Sequence, residues 1–313
     1  MKIYHQTELP LRPWRNPVLT VGNFDGVHLG HRKILERVVQ RARQVGGEAV
    51  VATFYPHPAR ILRPDRAPLP LISLQDRLAA LEAAGAEGLW VIPFDAEFAA
   101  LEAEDFIRTC LVGRVGVQGL VLGPDARFGR SRMGNPDMLQ LLGQTHDFFV
   151  EVVPDVDIDG ERISSTRIRQ VVSEGRVDHA ARLLGRPYQL RGEVVLGHRR
   201  GRKLGFPTAN LAVEDLLLPG NGIYACRARV GARPDESEEI ECVTSVGVRP
   251  TFDNGPVTVE AHLLDFEENI YGHLVTLEFV KKLRDERRFP SAEALVEAIF
   301  RDVTDTRRVI AGF

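Results

Sequence analysis

The sequence predicts a two-domain chain: an α/β half built on a parallel sheet, then a mainly antiparallel β-barrel or sandwich that ends in a helix. Three observations point there. A chain of 313 residues is long enough for about two domains, each burying its own core. From the N-terminus to about residue 185, apolar strand-like runs alternate with runs of helical spacing, as in sheets whose parallel strands are joined by crossover helices. After Arg186 the pattern changes to short alternating segments punctuated by Gly, Pro and Asn, which is the grammar of all-β folds. The boundary therefore falls at 185/186, in the turn-forming GRPYQ segment, and divides the chain into 1–185 and 186–313.

In the first half the strand candidates are 17–22, 48–54, 88–92, 117–123 and 148–153, and the helical candidates are 30–45, 74–85, 96–111, 135–143 and 165–184. In the second half the strands are 188–196, 223–230, 239–248, 257–264 and 274–280. A last amphipathic helix covers 291–302, with Ser291 as N-cap and Leu295, Val296, Ile299 and Phe300 on its apolar face.

Composition narrows the function. A net charge of -3 lacks the basic excess of a nucleic-acid binder. Cys110, Cys226 and Cys242 are odd in number and widely spaced, which suits reduced thiols in a cytoplasmic protein better than a disulfide framework. The N-terminus carries no apolar signal-like run, and the longest apolar stretch, 109–124, is interrupted by Arg114 and several glycines. Neither a signal peptide nor a membrane span is expected.

In parallel α/β sheets ligands bind at the carboxyl ends of strands, and the chemically notable residues cluster there. GNFDGVHLGHR (22–32) follows the first strand and opens a helix. Gly26 and Gly30 permit a tight turn, and the helix N-terminus offers unpaired N–H groups to an anion. His28 and His31 could donate hydrogen bonds to phosphate oxygens. Two other readings stand beside this one: a zinc site, which would need further ligands beyond the two histidines and Asp25, or a structural role. FYPHP (54–58) follows the second strand. Phe54, Pro56, Pro58 and Phe128 could frame a flat ring, or the segment is a stiff loop. The proline-rich 63–71 stretch either flanks the same mouth or simply connects. In ISSTRIR (163–169), Ser164, Ser165 and Thr166 cap a helix and, with Arg167 and Arg169, could form a second anion site.

In the second half GHRRGRKLGFPTANL (197–211) joins glycines to Arg200, Arg202 and Lys203, a composition suited to phosphates, without a Walker A sequence. Thr208 and Asn210 are two residues apart and share a face if extended. Their neutral oxygens suit Mg²⁺. Glu260 points away from Val257 and Val259. It is either a solvated strand residue or a base for a substrate hydroxyl. By composition, 197–205 and 281–290 are the candidate mobile loops.

Together these segments resemble the bacterial bifunctional riboflavin kinase/FAD synthetase family over nearly the whole chain. GNFDGVHLGHR, TFYPHP, VLGPDARFG and ISSTRIR are similar to its adenylyltransferase half. LGFPTANL, NGIYA, SVGVRPTF, TVEAHLLDF, IYG and LRDERRFPS are similar to its kinase half, in matching order. The resemblance implies a Rossmann-like nucleotidyltransferase domain over 1–185 and a β-barrel riboflavin kinase domain with a C-terminal helix over 186–313. It implies transfer of a phosphate from ATP to riboflavin, giving FMN, then adenylylation of FMN by a second ATP, giving FAD and pyrophosphate. ATP is co-substrate and Mg²⁺ cofactor in both.

By position, the resemblance makes His28, His31 and Glu260 catalytic. It assigns Asn23, Gly26, Ser164, Ser165, Thr166, Arg169, Gly205, Thr208 and Asn210 to nucleotide, Thr208 and Asn210 also to metal, and His57, Asp125 and Phe128 to flavin. Riboflavin, FMN, FAD and ATP are the implied partners, with no nucleic acid and no membrane, and a homo-oligomer is compatible with this reading. One departure stands out: in GPDARFG (123–129) Ala126 stands at the first of two positions that are usually aromatic in the family. The competing reading keeps one half active and the other as a flavin- or nucleotide-binding regulatory module. A nucleotidyltransferase with another acceptor would leave PTAN without a role.

Overall fold

The computed structural model describes residues 1–5, 9–197, 205–231, 238–247 and 257–312. They form two compact units, Met1–Leu69 with Ser73–Ser164, and Pro70–Ile72 with Ser165–Phe313.

The first unit is built on six strands: β1 (Lys2–His5), β2 (Val18–Val21), β3 (Ala49–Tyr55), β4 (Gly88–Pro93), β5 (Gly119–Leu122) and β6 (Phe149–Val152). They lie in the order β1-β4-β3-β2-β5-β6, and every neighbouring pair is parallel. The helices α1 (Leu29–Gln44), α2 (Pro58–Leu62), α3 (Leu74–Ala83), α4 (Ala96–Ala99), α5 (Ala103–Asp105) and α6 (Pro136–His146) accompany them. Val18, Leu19, Val50, Val51, Leu89 and Ile92 are buried, as expected of a sheet covered on both faces. From β2 the chain runs out through β3 and β4 on one side, then returns to β5 and β6 on the other. The crevice between the ends of β2 and β5 is thus the topological switch point, where such folds bind ligands. A small hairpin, β7 (Asp157–Ile158) with β8 (Glu161–Arg162), closes the unit.

The second unit begins with α7 (Ser165–Ser173) and α8 (Val177–Leu184). Its strands are β9 (Tyr188–Val195), β10 (Ala209–Ala212), β11 (Gly222–Val230), β12 (Glu239–Gly247), β13 (Thr258–Leu263) and β14 (Leu274–Arg284). They close a barrel in the order β10-β13-β12-β11-β14-β9, which resolves the choice between barrel and sandwich. Inward residues such as Leu190, Cys226, Ala261 and Leu277 are fully buried. A final helix, α9 (Ala292–Ala311), is capped by Ser291, whose hydroxyl accepts the Ala294 N–H at 3.2 Å.

Several elements differ from the sequence expectation. The edge strand β1 is short and mostly exposed, so no apolar run announces it. The expected helix 96–111 breaks into α4, α5 and a π-helix over Phe106–Val115. The Leu101 carbonyl there accepts the Arg130 N–H at 2.8 Å, a long-range bond that a continuous helix would forbid. The expected helix 165–184 divides at Gly175, which sits at φ 76° with the Tyr224 hydroxyl 2.7 Å from where a Cβ would stand. The last helix runs nine residues beyond Asp302, since Asp302 and Thr306 are themselves buried. Of the candidate mobile segment 281–290, residues 281–284 belong to β14. No described helix is long and apolar enough to cross a membrane.

Candidate active sites

In the first unit β2 ends at Val21 and delivers the Asn23–His31 turn to the switch point. Phe24, Gly26 and Val27 take φ of 49°, 84° and 42°, a strained path for a β-branched valine. Burial of Phe24 and Val27 with Leu35, Val51 and Leu81 holds it in place. His28 is the N-cap of α1: its Nδ1 accepts the His31 N–H at 3.3 Å, which puts the proton of the neutral ring on Nε2. The His28 and His31 rings stack with centroids 3.6 Å apart and 16° between their planes. Phe24 meets His31 edge-on at 5.1 Å. Burial first, then the neighbouring His28, holds the His31 pKa well below the ordinary 6.5.

Beside this turn, His57 caps α2 through Nδ1, which accepts the Ala59 N–H at 3.1 Å, and His57 Nε2 lies 3.4 Å from Asn23 Nδ2. The remaining amide atom of Asn23, Oδ1, and His31 Nδ1 are buried with no hydrogen-bond partner among the described residues. Buried polar atoms left unbonded are costly, so each of these two has capacity for one more hydrogen bond. An N–H-lined helix start with a histidine pair is equipped for an anion.

After β5, Asp125 pairs with Arg162, which also binds Asp155 through Nε at 2.9 Å. Phe128 lies against Phe106 at 5.9 Å and, with Ala126 and Phe54, packs on the unit's main core. Ser164 ends the first unit, whereas Ser165, Thr166 and Arg169 lie on α7 in the second.

The second site lies on the outer face of the barrel. In β10 Ala209 and Leu211 point inward and Asn210 outward. In β13 Val259, Ala261 and Leu263 point inward and Glu260 outward. Asn210 stands opposite Glu260 in the β10–β13 ladder, and Thr208 Oγ1 donates to Glu260 Oε2 at 3.4 Å. The structure thus unites these three sequence-predicted residues. His262 Nδ1 donates to the Pro207 carbonyl at 2.7 Å, fixing the approach to β10. Gly205 adopts φ 87° in open space, so its backbone rather than packing asks for glycine. Gly201, Arg200, Arg202 and Lys203 lie outside the described residues.

Ser245 stands opposite Glu260 on its other side and donates to Glu286 Oε1 at 3.3 Å. A Cβ on Gly247 would run into the Glu286 carboxylate. Burial raises the Glu286 pKa, and the Glu260 charge adds to it. Ser245, Glu286, His262 and Arg77 were not singled out in the sequence. Ser245, His262 and Glu286 fall inside the segments SVGVRPTF, TVEAHLLDF and LRDERRFPS without a role of their own, and Arg77 shares the buried stripe of α3 with Leu81. Among the described residues no group of three or more His, Cys, Asp or Glu gathers to hold a metal.

Two family models match the chain in succession. The family model described as FAD synthetase matches residues 12–167, and the one described as riboflavin kinase matches 184–310. The bifunctional riboflavin kinase/FMN adenylyltransferase of Pseudomonas fluorescens is 38% identical over 303 residues, 96% of either chain. Those of Escherichia coli K12 and Bacillus subtilis 168 are 36% identical over 94% of this chain (93% of theirs) and 35% identical over 99% (98% of theirs). A crystal structure described as a macrolide-efflux protein from Streptococcus pneumoniae superposes with a TM-score of 0.86 at 30% identity, covering 98% of this chain and 99% of that one. Both domain families are present, in order, over nearly the full length: this chain belongs to the bifunctional riboflavin kinase/FMN adenylyltransferase family.

Proposed function

We propose that the two sites divide the family's reactions between them: the barrel site makes FMN, and the β2–α1 turn uses it to make FAD. At the barrel, Glu260 takes the proton of the terminal ribityl hydroxyl as that oxygen attacks the γ-phosphorus of ATP, and ADP leaves. Thr208 and Asn210, outward beside Glu260, would hold Mg²⁺ together with ATP, and Gly205 lets the backbone approach the nucleotide. The neutral oxygens of Thr208 and Asn210 fit this ion, which takes hard oxygen ligands and shares its shell with substrate phosphates. When bound, Mg²⁺ neutralises phosphate charge. The observation that carries the kinase reading is the Thr208–Glu260 contact with Asn210 directly across the ladder.

In the adenylylation, a phosphate oxygen of FMN attacks the α-phosphorus of ATP, the α–β bridging bond breaks and pyrophosphate departs. No proton transfer is required, so His28 and His31 act by stabilising the negative charge that builds on the phosphates. Asn23 and Gly26, with Ser164, Ser165, Thr166 and Arg169, serve the nucleotide, and His57, Asp125 and Phe128 serve the flavin. The unpartnered atoms of Asn23 and His31 support a ligand at this turn.

The functional division follows 185/186, with 165–184 contributing to the adenylylating half although these residues pack with the barrel unit. We place the protein in the cytoplasm, acting on small molecules without nucleic acid or membrane partners, and a homo-oligomer remains compatible. Riboflavin, ATP and Mg²⁺ given to the purified protein should yield FMN and then FAD on chromatography. Glu260→Ala should abolish FMN formation while FMN supplied directly still becomes FAD. His28→Ala should do the converse. Equal loss of both steps in either variant would refute the division.

A further inference from the structure

We propose that Arg77, on α3, is a positioning residue for adenylylation: it clamps the carboxyl ends of β2 and β3 and so fixes the turn that carries Asn23, His28 and His31. The inference rests on the adenylylating role of that turn. Arg77 is 6% exposed. Its Nη1 donates to the Asn23 carbonyl at 2.8 Å and its Nη2 to the Phe54 carbonyl at 3.1 Å. The same Asn23 carbonyl also accepts from Thr53 Oγ1 at 3.2 Å. One backbone oxygen at the mouth of the site is therefore held from two directions.

The cost of this arrangement is visible. Burial lowers the Arg77 pKa, with the buried Asp25 carboxylate offsetting part of the penalty. A guanidinium taken out of water is expensive unless its geometry is well satisfied, and an apolar residue would fill the same stripe beside Leu81 more cheaply. What the guanidinium supplies is tension on a strained segment. Immediately after Asn23 come positive φ values at Phe24, Gly26 and Val27. Such a path persists only where its surroundings over-determine it.

Asn23 is also the residue whose amide faces His57 on one side and, among the described residues, has no partner on the other. Releasing its carbonyl shifts the amide and the histidine pair behind it. A displacement of about 1 Å in a phosphoryl-transfer site costs roughly a hundredfold in rate. Arg77 reaches backbone oxygens behind the turn, so its loss should move catalysis more than nucleotide affinity.

The test separates kcat from KM in FAD formation from supplied FMN, with riboflavin phosphorylation by the same chain measured alongside. Arg77→Met should lower kcat about 10- to 100-fold, with KM for ATP within about threefold and phosphorylation unchanged. Arg77→Lys, which keeps the charge and three donors, should recover at least about a third of wild-type kcat. Thr53→Val removes the second donor to Asn23 at nearly constant volume and should give the same kcat-only pattern at about threefold. It decides the matter if Arg77→Met does not fold. Unchanged kcat in both variants, or a raised KM for ATP at constant kcat, overturns the proposal. Full FAD formation by His28→Ala would instead refute the role of the turn itself.

Discussion

The imidazoles of His28 and His31 lie in face-to-face contact at 3.6 Å, so the pair cannot hold two protons without placing like charges against each other. Burial and then His28 keep His31 neutral well below pH 6.5. Between that depressed value and the unfolded value near 6.5, the unfolded chain binds more protons than the native one. Stability conferred by this group is therefore complete above about pH 6.5 and is lost as pH falls through the window. Melting of the first unit should occur at progressively lower temperature as pH drops from 7 to 5. His31→Leu should flatten that slope, and an identical slope in wild type and variant would contradict the assignment.

The proposed kinase site also involves a glycine packed against the Asn210 side chain. A Cβ on Gly197 would collide with the Asn210 side-chain amide. An amide so close to the backbone cannot swing away and keep its place opposite Glu260. Gly197→Ala should therefore raise KM for ATP–Mg²⁺ in riboflavin phosphorylation by about tenfold, as expected from losing one well-placed polar ligand. Conversion of supplied FMN to FAD should not change. Steady-state kinetics of both steps on one preparation checks this, and equal effects on both would show general damage.

How far the sequence reached follows from the range of the interactions involved. His28, His31, Thr208, Asn210 and Glu260 were legible since each combines a local motif with a strand end or an alternating strand, and strand period alone sets which face Glu260 occupies. Ser245 and Glu286 fall inside the similar segments SVGVRPTF and LRDERRFPS, but no local pattern sets either beside Glu260. Their place beside Glu260 comes from the β12–β13 register and from the path of the chain after β14, neither of which is local. Arg77 carries no local signal of burial, since arginine is mostly exposed in folded proteins. The break after α4 likewise depends on a bond from Arg130, a partner 29 residues further along. The barrel was legible as alternation, but β10 was read as a motif rather than a strand: at four residues it is too short for a period to show.

The cysteines should behave unequally towards thiol reagents. Cys226 and Cys242 face each other across β11 and β12 and are fully buried. Burial, then the adjacent Cys242, pushes the Cys226 thiol well up. Cys110 is partly buried, and burial raises its thiol as well. Since the thiolate is the reactive form, native protein at pH 8 should react slowly at Cys110 and not at the barrel pair. All three thiols should titrate in denaturant. Rapid native modification of Cys226 or Cys242, located by peptide mapping, would show that the barrel opens readily.

Of the ion pairs that fasten the final helix to the barrel, Arg284–Asp302 is the buried one, whereas Arg307–Asp265 is exposed. Arg284, the last residue of β14, reaches Asp302 on α9 through Nε at 2.8 Å and Nη2 at 2.7 Å. The Asp302 side chain is 6% exposed and that of Arg284 is 22% exposed. Removing one partner of a buried pair strands the other, typically at about 3–5 kcal/mol, and the partial exposure of Arg284 places Asp302→Ala near about 2–3 kcal/mol. Denaturant unfolding followed through the barrel should shift to a lower midpoint with an unchanged slope. Asp302→Leu combined with Arg284→Met should regain most of the loss, since a packed apolar pair avoids desolvating two charges. A single variant within about 0.5 kcal/mol of wild type would mean that α9 is held by its apolar face, with the ion pair contributing little.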